Sequence, residues 1–481
     1  MADSFFDRPP SFQINAWTGS DSAPTLVTGD RVAWSLHSRS PGKADGERER
    51  DFDVDIRDWT HPKVGWGLVL PDNEKIQPAG RRASADDAPD AIQRLLASRP
   101  GAPVLRWRAN ASGFGELLRY TPDDRVRTLQ LTSAWGVALD RLPRFLLIFA
   151  PPSVVPWSFQ YAANLQRGVG RLWLEGEALD NYVNALIGDW AGAACDSNAP
   201  LVWSVDHGKA DITWLMDQAI SRKLSARWSS EPDGDFSRAT RLFGADATRE
   251  QLVEALSRTK PGLVVTTSHG MTGPLNDATT MAAQLGMPVD VAHRSLDLAA
   301  LCDQWQPDGA IWYSHACCSA GSDAVSAYDG LFDRSTDVGR VLVGVSVNCG
   351  ASIAPLPQRL LGAKRPLRAF IGHVEPTFDW TLRDPETQQR LTDSLLDALH
   401  DKLFSRHIRP PIGSAMASVF DGVGTLLSQW ASACGAANRG APNSLIRALH
   451  FQVSALDRQH TVILGDPTAA LPALAALAAA R

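Results

Sequence analysis

Two short apolar runs, each followed by small and reactive residues, constrain the possible folds of this chain most. Residues 263–267 (LVVTT) lead into Ser268-His269-Gly270, and residues 310–314 (AIWYS) lead into His315-Ala316-Cys317. An uninterrupted apolar run of this length is typical of a strand that is buried on both faces. Such runs alternate in this chain with helical patterns such as residues 295–305, which predicts a parallel α/β sheet.

The residues that follow these two runs have the chemistry of a nucleophile and its base. Reactive residues gather at the carboxyl ends of parallel strands, so we expect His269 and Cys317 to lie side by side. A cysteine is nucleophilic as its thiolate, and a nearby imidazole can take the thiol proton. The small residues after Cys317, up to Gly321, allow a sharp turn that brings backbone N–H groups towards a bound carbonyl.

Two neighbouring residues leave alternatives open. Cys318 and Cys317 point to opposite faces of a strand, so one of the two is expected to be inert packing. His315 precedes Cys317 by two residues and can share its face. A zinc site formed by His269, His315, Cys317 and one further ligand is therefore conceivable, although zinc ligands usually cluster more tightly in sequence. The favoured interpretation needs neither a metal nor another cofactor.

Composition narrows the class of protein. The chain has 481 residues, of which 44% are hydrophobic and 21% charged, and its net charge is −6. This acidic balance argues against nucleic acid as a partner. The N-terminus lacks the basic and apolar regions of a secretory signal, and no stretch approaches the roughly 20 apolar residues of a membrane span. Six cysteines, scattered apart from the adjacent pair Cys317-Cys318 and without a CxxC spacing, predict free thiols in a cytoplasmic protein. No membrane contact is expected.

The alternation of strands and helices divides the chain into three predicted regions. Residues 1–100 are polar and rich in loops, and they are predicted to be an N-terminal accessory region. Residues 101–195, which include an apolar run at 144–150, predict an N-terminal α/β subdomain. Residues 196–481 contain both reactive motifs and predict the catalytic domain, with a long helix over 387–404.

The two motifs resemble those of the caspase-like (clan CD) superfamily of cysteine peptidases. Its shared pattern is an apolar strand ending in His-Gly and a later one ending in Ala-Cys, here Ser268-His269-Gly270 and Ala316-Cys317. The continuation through Ser319-Ala320-Gly321 is similar to that of CHAT-domain proteases. Residues 146–172 and Leu464-Gly465-Asp466-Pro467 are similar to gingipain-type catalytic units.

The resemblance implies a caspase-like, three-layer α/β/α fold in which two adjacent α/β subdomains carry the N-terminal accessory region. It implies a thiol protease that hydrolyses protein or peptide substrates, with Cys317 as nucleophile and His269 as base. The N–H groups of Gly270 and Cys317 are then expected to form the oxyanion hole. A regulated role in bacterial antiviral defence or cell death, with a regulatory protein partner, follows by analogy. The alternative is a non-catalytic binding or signalling module that keeps the fold.

Three carboxylates have predicted supporting roles. Asp206 follows the strand predicted at 201–205 and is the candidate to orient the imidazole of His269. Many relatives cleave after a basic residue by means of an acidic pocket, for which Glu375 and Asp379 are the candidates. CHAT domains usually carry a Trp-x-x-Asp-Asp-like segment in this part of the chain, which is absent here.

Overall fold

A sheet of twelve strands lies at the centre of the computed structural model, which describes residues 11–20, 23–28, 54–109 and 115–475. In spatial order the strands are β11 (Thr240–Phe243), β10 (Leu201–Ser204), β12 (Leu263–Thr267), β14 (Ile311–His315), β17 (Ala369–His373), β18 (Thr461–Gly465), β9 (Gly168–Leu172), β8 (Phe145–Phe149), β4 (Trp66–Pro71), β5 (Val104–Trp107), β6 (Glu116–Tyr120) and β7 (Val126–Gln130). The strands predicted from the apolar runs at 144–150, 263–267 and 310–314 are therefore confirmed.

Most of the sheet consists of two parallel blocks that run in opposite directions, and the antiparallel strands β6 and β7 extend one edge. Strands β11, β10, β12, β14 and β17 are parallel and form the β14 block. Strands β9, β8, β4 and β5 are also parallel and form the β8 block. Strand β18 joins them, since it is antiparallel to β17 and parallel to β9. The carboxyl ends of the two blocks consequently lie at opposite edges of the sheet.

Within the described ranges, six short strands form three pairs outside this sheet. They are β1 (Ser11–Phe12) with β3 (Thr25–Leu26), β2 (Ala16–Trp17) with β13 (Gly270–Met271), and β15 (Gly321–Ser322) with β16 (Ser352–Ile353). The pairing of β2 with β13 brings the N-terminal part of the chain to the end of β12.

Helices cover both faces of the sheet, as strand alternation requires. Val264 and Trp312 pack into the core on one face, whereas Val265 and Tyr313 pack into the core on the other. The predicted α/β class with a mainly parallel sheet is confirmed. The helices are Asp90–Ala97, Trp157–Asn164, Gly176–Ile187, Ile212–Met216, Arg222–Ser229, Arg249–Thr259, Ala278–Gln284, Leu298–Gln304, Asp337–Cys349, Pro355–Leu361, Asp393–Leu399, Ile412–Ala415, Ala417–Asn438 and Ser444–His460, with a π-helical segment at Asp217–Ser221.

The N-terminal region is not a separate unit in the structure. Strand β4 comes from residues 1–100 and lies inside the β8 block, between β8 and β5. Its residues 66–70 are all buried, so this part of the predicted accessory region belongs to the central sheet. Residues 1–10, 21–22 and 29–53 of that region lie outside the described residues.

The helix predicted over 387–404 is shorter than its pattern suggests. It extends only over Asp393–Leu399. Upstream of it, the carboxylate of Asp384 accepts the backbone N–H groups of Glu386 (2.8 Å) and Thr387 (2.7 Å). This side-chain hydrogen bonding offers the backbone an alternative to the helix and holds a turn instead.

Candidate active site

The predicted pair of reactive residues lies at one edge of the β14 block. Strands β12 and β14 are neighbours, and Thr267 is in register with His315. His269 and Cys317 each follow that register position by two residues, and the Ser268 N–H donates to the carbonyl of His315 (3.3 Å). His269 is 4% exposed, and Cys317 is fully buried. Both reactive residues therefore follow the carboxyl ends of adjacent strands.

His269 is held by a carboxylate that follows the neighbouring strand, β10. Its Nε2 lies 2.9 Å from Oδ2 of Asp211, which also caps the helix Ile212–Met216 by accepting the Thr213 N–H (2.8 Å). Because an ionised carboxylate only accepts hydrogen bonds, this contact assigns the imidazole proton to Nε2. Nδ1 of His269 has no hydrogen-bond partner among the described residues, so it is available as a base.

Asp211 has the electrostatics of an orienting group. Burial raises its pKa, but the hydrogen bond to His269, the charge of that ring and the groups of Thr213 together hold the pKa below its ordinary value. The carboxylate is therefore ionised at neutral pH. It stabilises both the tautomer of His269 and the imidazolium that forms when Nδ1 takes a proton.

The prediction that Asp206 orients the imidazole of His269 is wrong. Its Oδ1 accepts the Gly208 N–H (2.8 Å) and so stabilises the loop after β10. The sequence does contain a signal for the correct carboxylate. Asp211 directly precedes the helix Ile212–Met216, and aspartate is a preferred N-cap residue at the end of a β–loop–α connection.

Both predicted oxyanion donors point at one oxygen atom. The N–H groups of Gly270 (3.4 Å) and Cys317 (3.3 Å) donate to the backbone carbonyl of Asn15, whose own N–H donates to the carbonyl of Thr377 (3.2 Å). A Cβ atom on Gly270 would lie 2.0 Å from the carbonyl oxygen of Cys317. Only glycine therefore permits the two strand ends to approach this closely.

The thiol of Cys317 is protonated in this arrangement. Burial raises its pKa, and the Thr377 N–H, which donates to Sγ at 3.3 Å, offsets this only in part. A buried thiol reacts as a nucleophile once a base removes its proton. The site consequently depends on its imidazole rather than on a preformed thiolate.

Cys318 and His315 have structural contacts. Cys318 is buried with a positive φ of 55°, and its N–H donates to the carbonyl of Glu375 (3.4 Å). Nδ1 of His315 lies 2.9 Å from the hydroxyl of Tyr313, and burial lowers the pKa of His315 to about 4. In the part of the chain that the structure describes, no three His, Cys, Asp or Glu side chains are grouped as metal ligands.

Of the two carboxylates predicted to bind a basic side chain, Glu375 is engaged with other groups. Glu375 is buried, and it accepts the Ser326 hydroxyl (2.9 Å) and the Ala327 N–H (3.0 Å). Burial raises its pKa to about 8. Burial also raises the pKa of Asp379 to about 6, and this carboxyl receives the backbone N–H of Gln13. The prediction that Glu375 binds a basic side chain is therefore wrong. Oδ1 of Asp379 is buried and has no hydrogen-bond partner among the described residues.

Sequence reasoning missed the N-terminal segment altogether. Residues 11–17 (SFQINAW) lie at the ends of β12 and β14, although they are far from both strands in the chain. Their apolar residues at positions 12, 14 and 16 alternate with polar ones, which is the pattern of a half-buried strand. That pattern could have identified an extended segment, but not its position beside Cys317.

Comparisons with known proteins do not assign the chain to a family: no family model, no curated protein and no solved structure matches it. Within the described ranges, no helix combines the length and the apolar character that crossing a membrane would require.

Proposed function

We propose that this chain is a cysteine endopeptidase of the caspase-like type, with Cys317 as nucleophile and His269 as acid–base. One observation carries the proposal. Two backbone N–H groups, from Gly270 and Cys317, converge on a single peptide carbonyl at the ends of adjacent strands. Acyl transfer needs this arrangement, because negative charge develops on that oxygen in the transition state.

The neighbouring groups support the same chemistry. Asp211 orients His269, whose Nδ1 has no partner among the described residues. The chain adds β11 on one side of β10 and then adds β12, β14 and β17 on the other side. The direction in which strands are added therefore reverses between β10 and β12. Active sites of parallel sheets form at the carboxyl ends of strands at such a reversal. The resemblance of the two motifs to caspase-like peptidases agrees with this position.

The proposed reaction has two balanced steps. Sγ of Cys317 forms a bond to the substrate carbonyl carbon while Nδ1 of His269 takes the thiol proton; the carbon–nitrogen bond then breaks, and His269 returns this proton to the leaving amine. Water next adds to the thioester and gives one proton to His269. The carbon–sulfur bond breaks, the acid product leaves, and the proton returns to the sulfur.

A second candidate function is a binding module that keeps the fold without catalysis. The observation that favours it is the complete burial of Cys317, together with the raised pKa of its thiol. Both functions use the same cleft for an extended peptide. They differ in whether the bound peptide is cut.

Profiling of cleaved peptides separates the two functions. A peptide library is incubated with the wild type, Cys317→Ala and Cys318→Ala, and the products are identified by mass spectrometry. We expect cleavage by the wild type and by Cys318→Ala, and a loss of about a thousandfold or more in Cys317→Ala. Cleavage that persists in Cys317→Ala, or is lost only in Cys318→Ala, contradicts the assignment of the nucleophile.

A further inference from the structure

We infer that residues 11–17 occupy the substrate cleft of the protein itself, and that the pocket beside Cys317 takes the side chain of asparagine. The inference rests on the proposed peptidase function and names its substrate class and its regulation. Asn15 supplies the carbonyl that Gly270 and Cys317 hold. The bond between Asn15 and Ala16 therefore has the position of the bond that a substrate would have cut.

The segment binds by its backbone, as an added strand. Ile14 bridges Phe378 in the antiparallel direction, and Ala16 pairs with Gly270 in the parallel direction. Beyond the pairing of β2 with β13, the carbonyl of Trp17 accepts the N–H of Thr272 (2.8 Å). Backbone pairing gives affinity for any extended peptide, whereas pockets for individual side chains give selectivity.

Residues before Asn15 fill apolar pockets. Phe12 is fully buried, with its ring stacked on Trp380 (4.6 Å between ring centres) and edge-on to Phe332 (5.0 Å) and Phe378 (5.3 Å). Ile14 is 4% exposed and packs into the same core cluster. A substrate is thus expected to carry apolar residues two and four positions before the bond at Asn15, counting Asn15 as the first.

On the other side of that bond, Trp17 defines a second aromatic contact. Its indole stacks on His293, with 4.4 Å between the ring centres and 22° between the planes. Its ring centre lies 6.2 Å from that of His269. The segment is therefore held on both sides of the catalytic residues.

The pocket around the side chain of Asn15 suits a neutral amide. Asn15 is fully buried, and its Nδ2 donates to the carbonyl of His315 (3.5 Å). A carboxylate in this position would set two acceptor oxygens against each other. A basic side chain would lack one expected partner, because the carboxyl of Glu375 already accepts the hydroxyl of Ser326 and the N–H of Ala327.

The contacts of residues 11–17 close the site, but they leave the segment able to dissociate. Phe12, Ile14 and Ala16 belong to the same core cluster as Cys317. Cys317 has no exposed surface in this arrangement. Oδ1 of Asn15, however, is buried and has no hydrogen-bond partner in the described part of the chain. A buried unpaired acceptor weakens binding. The segment is consequently bound less tightly than a fully satisfied peptide would be.

Opening the cleft with one substitution tests both parts of the inference in the full chain. Ile14→Asp places a charge in the apolar cluster, and Leu26→Asp is the matched control because Leu26 is 53% exposed. The probes are Phe-Gln-Ile-Asn joined to 7-amino-4-methylcoumarin, and the same peptide with Arg or Asp in place of Asn. We expect Ile14→Asp to cleave the Asn probe about tenfold faster or more than the wild type or Leu26→Asp, and to prefer Asn over Arg by a similar factor.

Each outcome identifies which proposal fails. Equal and measurable rates of cleavage in the wild type and Ile14→Asp, or a preference for Arg or Asp, overturn this inference and leave the peptidase intact. Suppose instead that folded Ile14→Asp cleaves none of the probes, while iodoacetamide modifies its Cys317 faster than in the wild type. The cleft is then open and the peptidase function is wrong. If Ile14→Asp does not fold, Asn15→Asp replaces it, since it keeps the size of the side chain and disrupts the contact with His315.

Discussion

Each of the two parallel blocks of the sheet contains a reversal of strand order, but the polar residues at the two reversals differ in their hydrogen bonding. Strand order reverses between β10 and β12 in the β14 block, and between β4 and β8 in the β8 block. At the first reversal, Asp211 and His269 form a pair in which Nδ1 of the imidazole has no partner among the described residues. This atom is available for chemistry.

At the second reversal the polar groups are saturated. Asp72 follows β4, and its side chain, which is fully buried, accepts hydrogen bonds from Arg108 (2.8 Å), Tyr120 (3.2 Å) and Arg82 (3.4 Å). Two guanidinium groups and a hydroxyl leave this carboxylate no role beyond holding the edge of the sheet. Topology provides a crevice at both reversals, but only a polar atom left without a partner makes a crevice a candidate site.

The largest expected effect concerns the pair at the first reversal. Asp211→Asn keeps the shape of the residue but no longer fixes the proton on Nε2 of His269, so we expect kcat for peptide cleavage to fall about 10²- to 10⁴-fold. Asp206→Asn is the matched control and is expected to have little effect, since Asp206 contacts the Gly208 N–H. The measurement is a pH profile of kcat for both variants.

A purely structural role for Asp211 would give a different result. Both its cap of the helix Ile212–Met216 and its bond to His269 would be weakened, but the pH profile of the residual activity would keep its shape. An unshifted profile in Asp211→Asn would therefore contradict the orienting role.

The second prediction concerns Asp72 and its hydrogen bonds at the reversal between β4 and β8. Asp72→Ala leaves the buried guanidinium of Arg82 without its carboxylate, which we expect to lower the free energy of unfolding by about 3–5 kcal/mol. The control is Asp180→Ala, whose pair with Arg94 is about half exposed, and for which a loss below about 1 kcal/mol is expected. Urea unfolding measures both. Lost activity per folded molecule in Asp72→Ala would show that the β8 block has a catalytic role.

The third prediction uses the pH dependence of stability. Burial raises the pKa of Glu375 to about 8, so the folded chain retains a proton that the unfolded chain releases above its ordinary pKa, near 4.5. The stabilising contribution of this proton is therefore fully present below about pH 4.5 and is lost as pH rises through about 8. Glu375→Gln stays neutral, and we expect it to reduce this fall by on the order of 2–4 kcal/mol between pH 5 and 8.

A second buried carboxyl gives the comparison for this experiment. Burial raises the pKa of Asp457 to about 7, so Asp457→Asn should remove a separate and smaller share of the same pH dependence. Denaturant unfolding at several pH values measures both variants. Parallel curves for the wild type and Glu375→Gln would mean that the carboxyl of Glu375 is solvated, in conflict with its contacts to Ser326 and Ala327.

Much of the fold was predictable because strand burial is a local property of the chain. The apolar runs before His269 and Cys317 form β12 and β14, and both residues lie beyond the ends of these strands. Predictions that depended on contacts across the sheet did less well. Asp206 and Asp211 lie in the same loop region, and only the three-dimensional path of the chain decides which carboxylate reaches His269.

Local patterns in the chain therefore predict the strands, the reactive residues at their ends and the glycine that lets those ends meet, because each depends on sequence neighbours. Tertiary structure alone decides that strand β4 belongs to the central sheet, that Glu375 is buried against Ser326, and that Asn15 lies between the two oxyanion donors. These outcomes depend on free energies of burial and on hydrogen bonds between residues distant in sequence. No local pattern encodes which distant segment fills a given cleft.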